Sequence, residues 1–307
     1  MPGSPQFKFL RRTRLKIRSR EPLAMPAWSR RVDGRCKVVS PTINIHSLHQ
    51  VRHNPVEPLR FLTFNIQVGI KTTGYGQYFT KGWKHVLPHG DRTDNLRRIA
   101  DLVADYDVVA LQEVDGGSIR SGFVNQVEYL ADRAQFPYWY TQLNRDLGLF
   151  AQHGNGLLSR IEPTQMEDHK LPGTIPGRGA IVVRLPWGDE FVLLVLLHLS
   201  LGDRSRHKQL EYVRGLIQNE EYVVVMGDMN SHLSDLLFNS PLADSNLMPA
   251  ERVDPTYPAW RPSLTLDHVL VSPGLNIRDY EVLDCQLSDH RPIAVTLDLT
   301  GEKRPSQ

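Results

Sequence analysis

Side chains able to do acid–base and phosphate chemistry recur in this chain at points where an apolar strand should end. The run Tyr222-Val223-Val224-Val225-Met226-Gly227 leads into Asp228-Met229-Asn230. Side chains alternate along an extended chain, so Asp228 and Asn230 project to one side. An acid and an amide placed together can share one phosphate. Asp228 would take a proton from an attacking water, a step worth about 10²–10⁴ in rate, and the Asn230 amide would donate to a non-bridging oxygen. The competing reading of this pair is an Asx-type turn that closes the strand. In Leu287-Ser288-Asp289-His290-Arg291-Pro292 the neighbours Asp289 and His290 point opposite ways and can serve two adjoining subsites, one a metal and one a phosphoryl oxygen. A polar turn before the last strand is the alternative there. Asp267, in Leu264-Thr265-Leu266-Asp267-His268, is a carboxylate able to orient His290 and favour its imidazolium form.

Three further candidates are weaker one by one. His198 ends the apolar run 193–197 and could donate to a phosphate or leaving oxygen, although a lone histidine after such a run is more often structural. Glu113 follows the apolar run 108–111 and is a candidate metal ligand, or else a strand-terminal carboxylate in solvent. Asn65 closes Phe61-Leu62-Thr63-Phe64 and is ambiguous alone.

These residues need elements to hold them. Residues 59–68 alternate as a strand, and 92–106 repeat apolar side chains at Leu96, Ile99, Leu102 and Val103 with a helical period. The pattern predicts strands at 108–111, 138–143, 155–159, 180–185, 191–198, 222–227, 266–271, 277–283 and 292–299, with helices at 124–134 and 204–217. Short links such as Pro186-Trp187-Gly188-Asp189 imply antiparallel pairs. A mixed α/β domain of packed sheets at 56–300 follows, with no internal repeat and a short C-terminal tail at 301–307.

Composition bounds the rest. The apolar run 191–197 is the longest, far short of the roughly 20 residues a membrane helix needs. Only Cys36 and Cys285 are present, which excludes a disulfide framework and a cysteine zinc site and fits a reducing, cytoplasmic compartment. Residues 1–60 hold 13 Lys and Arg against 3 Asp and Glu, leaving 23 basic and 31 acidic residues in the remainder. An acidic body of net −8 disfavours tight non-specific binding of long duplex nucleic acid. The basic, proline-bearing segment 1–55 reads as a disordered tail. It could meet an anionic membrane surface peripherally or meet nucleic acid, or 1–24 could be an extension upstream of a start at Met25; it lacks the apolar core of a secretory signal.

Taken in order, Phe64-Asn65-Ile66-Gln67, Leu111-Gln112-Glu113, Gly154-Asn155-Gly156-Leu157-Leu158-Ser159-Arg160, His198-Leu199, Gly227-Asp228-Met229-Asn230, Leu266-Asp267-His268 and Ser288-Asp289-His290-Arg291-Pro292 resemble the endonuclease/exonuclease/phosphatase superfamily. The resemblance spans nearly all of 59–299. It implies a four-layer α/β/β/α sandwich of two mixed sheets flanked by helices, with the site at one end of the sheets. It also implies Mg²⁺ or Mn²⁺ held by Glu113 with Asn65 and Asp289 nearby, Asp228 as the water-activating base, Asn230 as phosphate ligand, an Asp267–His290 pair, and His198 against the phosphate. Hard oxygen ligands suit Mg²⁺ independently of the resemblance. Many base-excision nucleases of the superfamily carry an acid where this chain has Gln67, and the closer likeness is to bacterial members of unassigned substrate and to branches acting on lipid or sugar phosphodiesters.

The expected function is a metal-dependent phosphodiesterase or phosphatase acting on a lipid-derived or small phosphoester. The rivals are a DNA or RNA nuclease and a non-catalytic binding protein on the same fold; no partner protein is expected. Substrate choice should lie in segment 71–91, which carries Tyr75, Tyr78, Phe79, Lys81, Trp83, Lys84, His85 and His89, and at Trp260 and Arg261. Such aromatic and basic groups could stack a base, pair a phosphate or meet a lipid headgroup, or simply fold the loop onto the body.

Overall fold

Consecutive residues Phe61 and Leu62 are both fully buried, and on an extended segment they face opposite ways. A strand of that kind needs apolar partners on both sides, and Val108 to Leu111 and the pair Leu157 and Leu158 repeat the demand. Covering both faces of two such sheets takes four layers, and that is the architecture of the computed structural model, which describes residues 56–69, 90–146, 152–174 and 177–300.

The elements run β1 (Leu59–Asn65), α1 (Gly90–Val103), β2 (Val108–Asp115), α2 (Gln126–Ala134), β3 (Tyr138–Asp146), β4 (Gln152–Ser159), β5 (Gln165–Lys170), β6 (Gly179–Trp187), β7 (Glu190–His198), α3 (Asp203–Ile217), β8 (Val223–Asp228), α4 (Leu233–Phe238), β9 (Asp267–Val271), β10 (Leu275–Val282) and β11 (Ile293–Leu299). One sheet has the order β10-β11-β1-β2-β4-β3 and the other β5-β6-β7-β8-β9. The pairs β1/β2 and β7/β8 are parallel and the other neighbours antiparallel.

Three apolar clusters fill the three gaps between the layers. Phe61, Ala110, Leu157, Ile181, Leu194 and Met226 meet between the sheets. Leu62, Leu111 and Leu158, the other face of the first sheet, pack on Ile99 of α1 and Leu130 of α2. Val195, Leu197 and Val225 of the second sheet pack on Leu210 and Val213 of α3 and Leu236 of α4. Each large side chain so buried contributes on the order of 1.5–3 kcal/mol.

The fold is the predicted sandwich of two mixed sheets flanked by helices. Differences are local. The first strand ends at Asn65 rather than 68, because Gln67 and Val68 adopt positive φ in a short 3-10 turn. The second helix begins at Gln126, where the Asn125 side chain caps the amides of Val127 and Glu128. Two elements escape the sequence patterns. Strand β5, Gln165-Met166-Glu167-Asp168-His169-Lys170, lies at a sheet edge and is mostly solvent-facing, so it has no apolar alternation to read. Helix α4 has six residues, too few for a period. The segments 1–55 and 301–307, and Tyr75, Tyr78, Phe79, Lys81, Trp83, Lys84, His85 and His89, lie outside the described residues. No helix among the described residues is long and apolar enough to cross a membrane.

Strand β8 passes close against β7 at Gly227. Its φ is +142°, and a Cβ built there would lie 1.9 Å from the Leu197 carbonyl oxygen. Gly227→Ala is therefore expected to destabilise the protein by about 3 kcal/mol or more, from positive φ plus a backbone clash. A urea melt measures it, and a shift below about 1 kcal/mol would show that the strands can separate without penalty.

Candidate active site

Strand register brings the candidates into one row. His198 of β7 stands opposite Asp228 of β8, and Asp228 stands opposite Asp267, the first residue of β9. In the facing sheet Asn65 of β1 pairs with Gln112 of β2, one residue before Glu113. Glu113 is the extra residue of a bulge, between Gln112 opposite Asn155 and Val114 opposite Gly154, and has φ +55°. Bulges of this kind re-aim a side chain, and here the strained residue is an acid beside the other acids. Asp289 and His290 come from the loop before β11. It is fastened by Ala259 N–H to Asp289 O (2.7 Å), Arg291 N–H to Thr256 O (2.8 Å) and Asn95 Nδ2 to Leu287 O (2.6 Å).

Asp228 is the hub. Only 2% exposed, its Oδ2 accepts a 3.0 Å hydrogen bond from Asn65 Nδ2, a bond that crosses from one sheet to the other. Its Oδ1 accepts from Asn230 N–H at 3.0 Å, so the Asx turn is formed as well. Asn230, at φ +47°, donates its amide to Leu199 O at 3.0 Å. Burial pushes the Asp228 carboxyl well above its usual range, against the opposing pull of the His290 imidazolium and the Asn65 bond.

His290 is held as a cation. Its Nδ1 lies 2.8 Å from Asp267 Oδ2, which also accepts from Thr256 Oγ1 at 2.6 Å, and its Nε2 faces Asp228 Oδ2 at 3.9 Å. Burial alone would strip the proton, but the carboxylates of Asp267, Asp228 and Asp289 outweigh it and hold the imidazole well above its ordinary value. The Tyr257 ring packs on the imidazole at 4.9 Å between centroids.

His198 behaves oppositely. Burial, then the charges of Arg178, His290 and His153, push it well below the ordinary histidine value. The guanidinium of Arg178 lies 2.6 Å from His198 Nε2, and since arginine only donates, that nitrogen accepts and the imidazole is neutral. The 3.4 Å approach of the same nitrogen to Asp228 Oδ2 is therefore not an ion pair, despite its length. The expected donation by His198 to a phosphate oxygen would require Arg178 to release Nε2 first, or donation from Nδ1.

Arg178 escaped the sequence reading. Burial lowers its pKa from the usual arginine value while the carboxylates of Glu113 and Asp228 oppose the loss, so the guanidinium against His198 also feels both acids. The available signal was a single arginine between two glycines, Gly177-Arg178-Gly179, just ahead of an apolar strand. Trp260 is half-buried and Arg261 exposed in the loop before β9.

Two donor sets could hold a divalent cation. Ligand atoms of Asp228, Asp267 and His290 lie within 4.8 Å of one another. A protonated imidazole cannot ligate, however, and His290 Nδ1 is already engaged with Asp267. The other set is Glu113 with Asn65 and Asp289. Burial raises the Asp289 carboxyl to about 6, with Glu113 adding repulsion and His290 opposing. Repulsion between carboxylates is what a hard cation relieves, and oxygen donors fit Mg²⁺ or Mn²⁺.

A family model described as "Endonuclease/Exonuclease/phosphatase family" matches residues 62–290. Among solved structures, an endonuclease/exonuclease/phosphatase from Beutenbergia cavernae DSM 12333 is 21% identical with a TM-score of 0.62, covering 79% of this chain and 72% of its own. D. rerio TDP2 complexed with single strand DNA product is 18% identical with a TM-score of 0.57, covering 79% and 99%. The Bacteroides thetaiotaomicron VPI-5482 mannosyl-6-phosphatase Bt3783 is 17% identical with a TM-score of 0.56, covering 78% and 99%. These likenesses show the fold. No curated protein matches the chain.

The two histidines should titrate on opposite sides of the ordinary value of about 6.5. In ¹⁵N NMR of the metal-free protein, His290 is expected to lose its proton above that pH and His198 to gain one only below it. Asp267→Asn removes a carboxylate that raises His290, so its midpoint should fall by at least one pH unit, roughly 1.4 kcal/mol. Two midpoints near 6.5 would contradict the geometry.

Proposed function

The chain belongs to the endonuclease/exonuclease/phosphatase family, and on that premise we propose that it is a Mg²⁺- or Mn²⁺-dependent hydrolase of phosphate esters, a phosphodiesterase or phosphatase for a small or lipid-derived substrate. One observation carries the reading. A buried carboxylate, Asp228, is fixed from the opposite sheet by Asn65 and lies against a cationic imidazole and near a guanidinium. An acid so placed and so desolvated has a raised proton affinity, which suits a group that must take a proton from water near neutral pH.

The other residues divide the remaining work. The His290 imidazolium, kept charged by Asp267, faces the developing negative charge on phosphorus-bound oxygens. Arg178 offers a planar fork of donors that matches two phosphate oxygens, which a lysine could not do. Asn230 gives its backbone N–H to Asp228 and one side-chain N–H to Leu199 O, leaving the other for a phosphate oxygen, and His198 accepts from Arg178. Glu113, Asn65 and Asp289 would hold the cation, which when bound neutralises charge on the phosphoryl oxygens.

The acidic body argues for a small or single-ended substrate over long duplex DNA. One fold relative is a mannosyl-6-phosphatase, which favours the small phosphoester. A second reading, cleavage at a nucleic-acid strand, is favoured by the likeness to TDP2 in complex with single strand DNA product. Salt separates the two, since binding to a strand weakens steeply with ionic strength. A non-catalytic binding protein would have no need of a base, a charged imidazole and a guanidinium around one point.

With Mn²⁺ and bis(p-nitrophenyl) phosphate, sugar phosphates, phospholipid and single-stranded DNA as trial substrates, Asp228→Asn and His290→Ala are each expected to lower turnover by about 10³-fold or more. Their circular dichroism should stay native. Turnover that survives excess chelator, or survives in both variants, would contradict the mechanism.

A further inference from the structure

Arg178 belongs to a short segment that could easily be loose. It is flanked by Gly177, at φ +115°, and Gly179, and fixing an arginine side chain opposes about 2 kcal/mol of rotamer entropy. Yet the side chain is half-buried, with its guanidinium 2.6 Å from His198 Nε2, so something must hold the backbone. The holding groups lie in the opposite sheet. Asn155 of β4 donates from Nδ2 to Gly179 O at 3.0 Å and to Gln142 Oε1 at 3.1 Å. Gln142 of β3 donates from Nε2 to Ala180 O at 3.0 Å and to Asp168 of β5. Two side-chain amides from the first sheet thus grip two successive carbonyls of the second, directly after Arg178.

The contact is close and carries a cost of its own. A Cβ on Gly179 would lie 2.1 Å from Asn144 Oδ1 and 2.5 Å from Gln142 Oε1, so a side chain there would have to displace the amides that face this backbone. Asn155 is 1% exposed, and its Oδ1 has no hydrogen-bond partner among the described residues. Because the Asn155 amide nitrogen serves two acceptors, the side chain cannot be flipped to satisfy that oxygen. A buried orphan acceptor costs about 1–3 kcal/mol, and an aliphatic residue there would instead take this donor from Gly179 O and Gln142 Oε1.

We infer that Asn155 and Gln142 are positioning residues for Arg178: they set where its guanidinium lies, and through it hold His198 as a neutral acceptor. The inference rests on the proposed phosphate-binding role of Arg178 only for its effect on turnover. Its effect on His198 is independent of any reaction.

Wild type, Asn155→Leu, Arg178→Met and the double variant are compared with bis(p-nitrophenyl) phosphate and Mn²⁺, alongside ¹⁵N spectra of His198 in the substrate-free proteins. Arg178→Met is expected to lower kcat about 10²-fold, as loss of one preorganised donor does. Asn155→Leu should lower it roughly tenfold, less than the 10² that a full ångström of misplacement can cause. The double variant should be no worse than Arg178→Met alone, and losses that multiply would overturn the inference, since a general structural defect acts regardless of Arg178. In Asn155→Leu the His198 midpoint should rise toward 6.5, because a lowering charge moves away. Unchanged His198 resonances in folded Asn155→Leu would also overturn it. Full turnover by Arg178→Met would refute the phosphate clamp, and the His198 spectra would then decide the positioning alone. If Asn155→Leu fails to fold, Gln142→Leu carries the same comparison.

Discussion

Everything at the site depends on one constraint: two sheets from distant parts of the chain must be held face to face at a fixed separation where their apolar contact gives out. Between the sheets, Phe61, Ala110, Leu157, Leu194 and Met226 form a dry interface. Toward the site the same strands turn polar, and apolar packing can no longer set the spacing. There the hydrogen bond from Asn65 Nδ2 to Asp228 Oδ2 takes over, 163 residues apart in sequence and fully buried. Removing one partner of such a bond leaves the other desolvated and unpaired, at about 1–3 kcal/mol, more when the remaining group is charged. The amides of Asn155 and Gln142 on Gly179 and Ala180 form a second tie of the same kind.

With the sheets fixed, the electrostatics follow from which partner each group meets. Two buried imidazoles share one neighbourhood yet are driven to opposite states. His290 meets the Asp267 carboxylate at Nδ1 and stays charged, whereas His198 meets the Arg178 guanidinium at Nε2 and stays neutral. The acids are sorted as well. Asp267 receives two donors, from Thr256 and His290, while Asp228 and Asp289 are pushed up by burial. A site that keeps one acid basic and one histidine cationic has the paired groups that general acid–base chemistry requires.

Much of this was legible in the residues, for physical reasons that differ from one to the next. Val223 to Met226 could be read as a buried strand because both faces are apolar, and Asp228 at its end stood out against that background. The Asp267–His290 contact was accessible because acid and imidazole are chemically complementary. The state of His198 was not accessible, since it depends on Arg178, which approaches from 20 residues away and carries no periodic pattern around it. The bulge at Glu113 was equally hidden: sequence places the acid at a strand end but says nothing of the two-against-one pairing that turns it. Edge strand β5 has one apolar residue, Met166, too little for a pattern, and its pairing with β6 and the Gln142–Asp168 contact exist only in three dimensions.

The central claim is that Glu113, Asn65 and Asp289, all at one end of the six-stranded sheet, hold one hydrated cation, with Asp228 of the facing sheet left as the base. Anomalous diffraction from Mn²⁺-soaked crystals tests it directly. The expected peak lies against the carboxylates of Glu113 and Asp289, with the Asp267–His290 hydrogen bond intact. A peak seated among Asp228, Asp267 and His290, with His290 as a ligand, or no peak at all at saturating Mn²⁺, would contradict it.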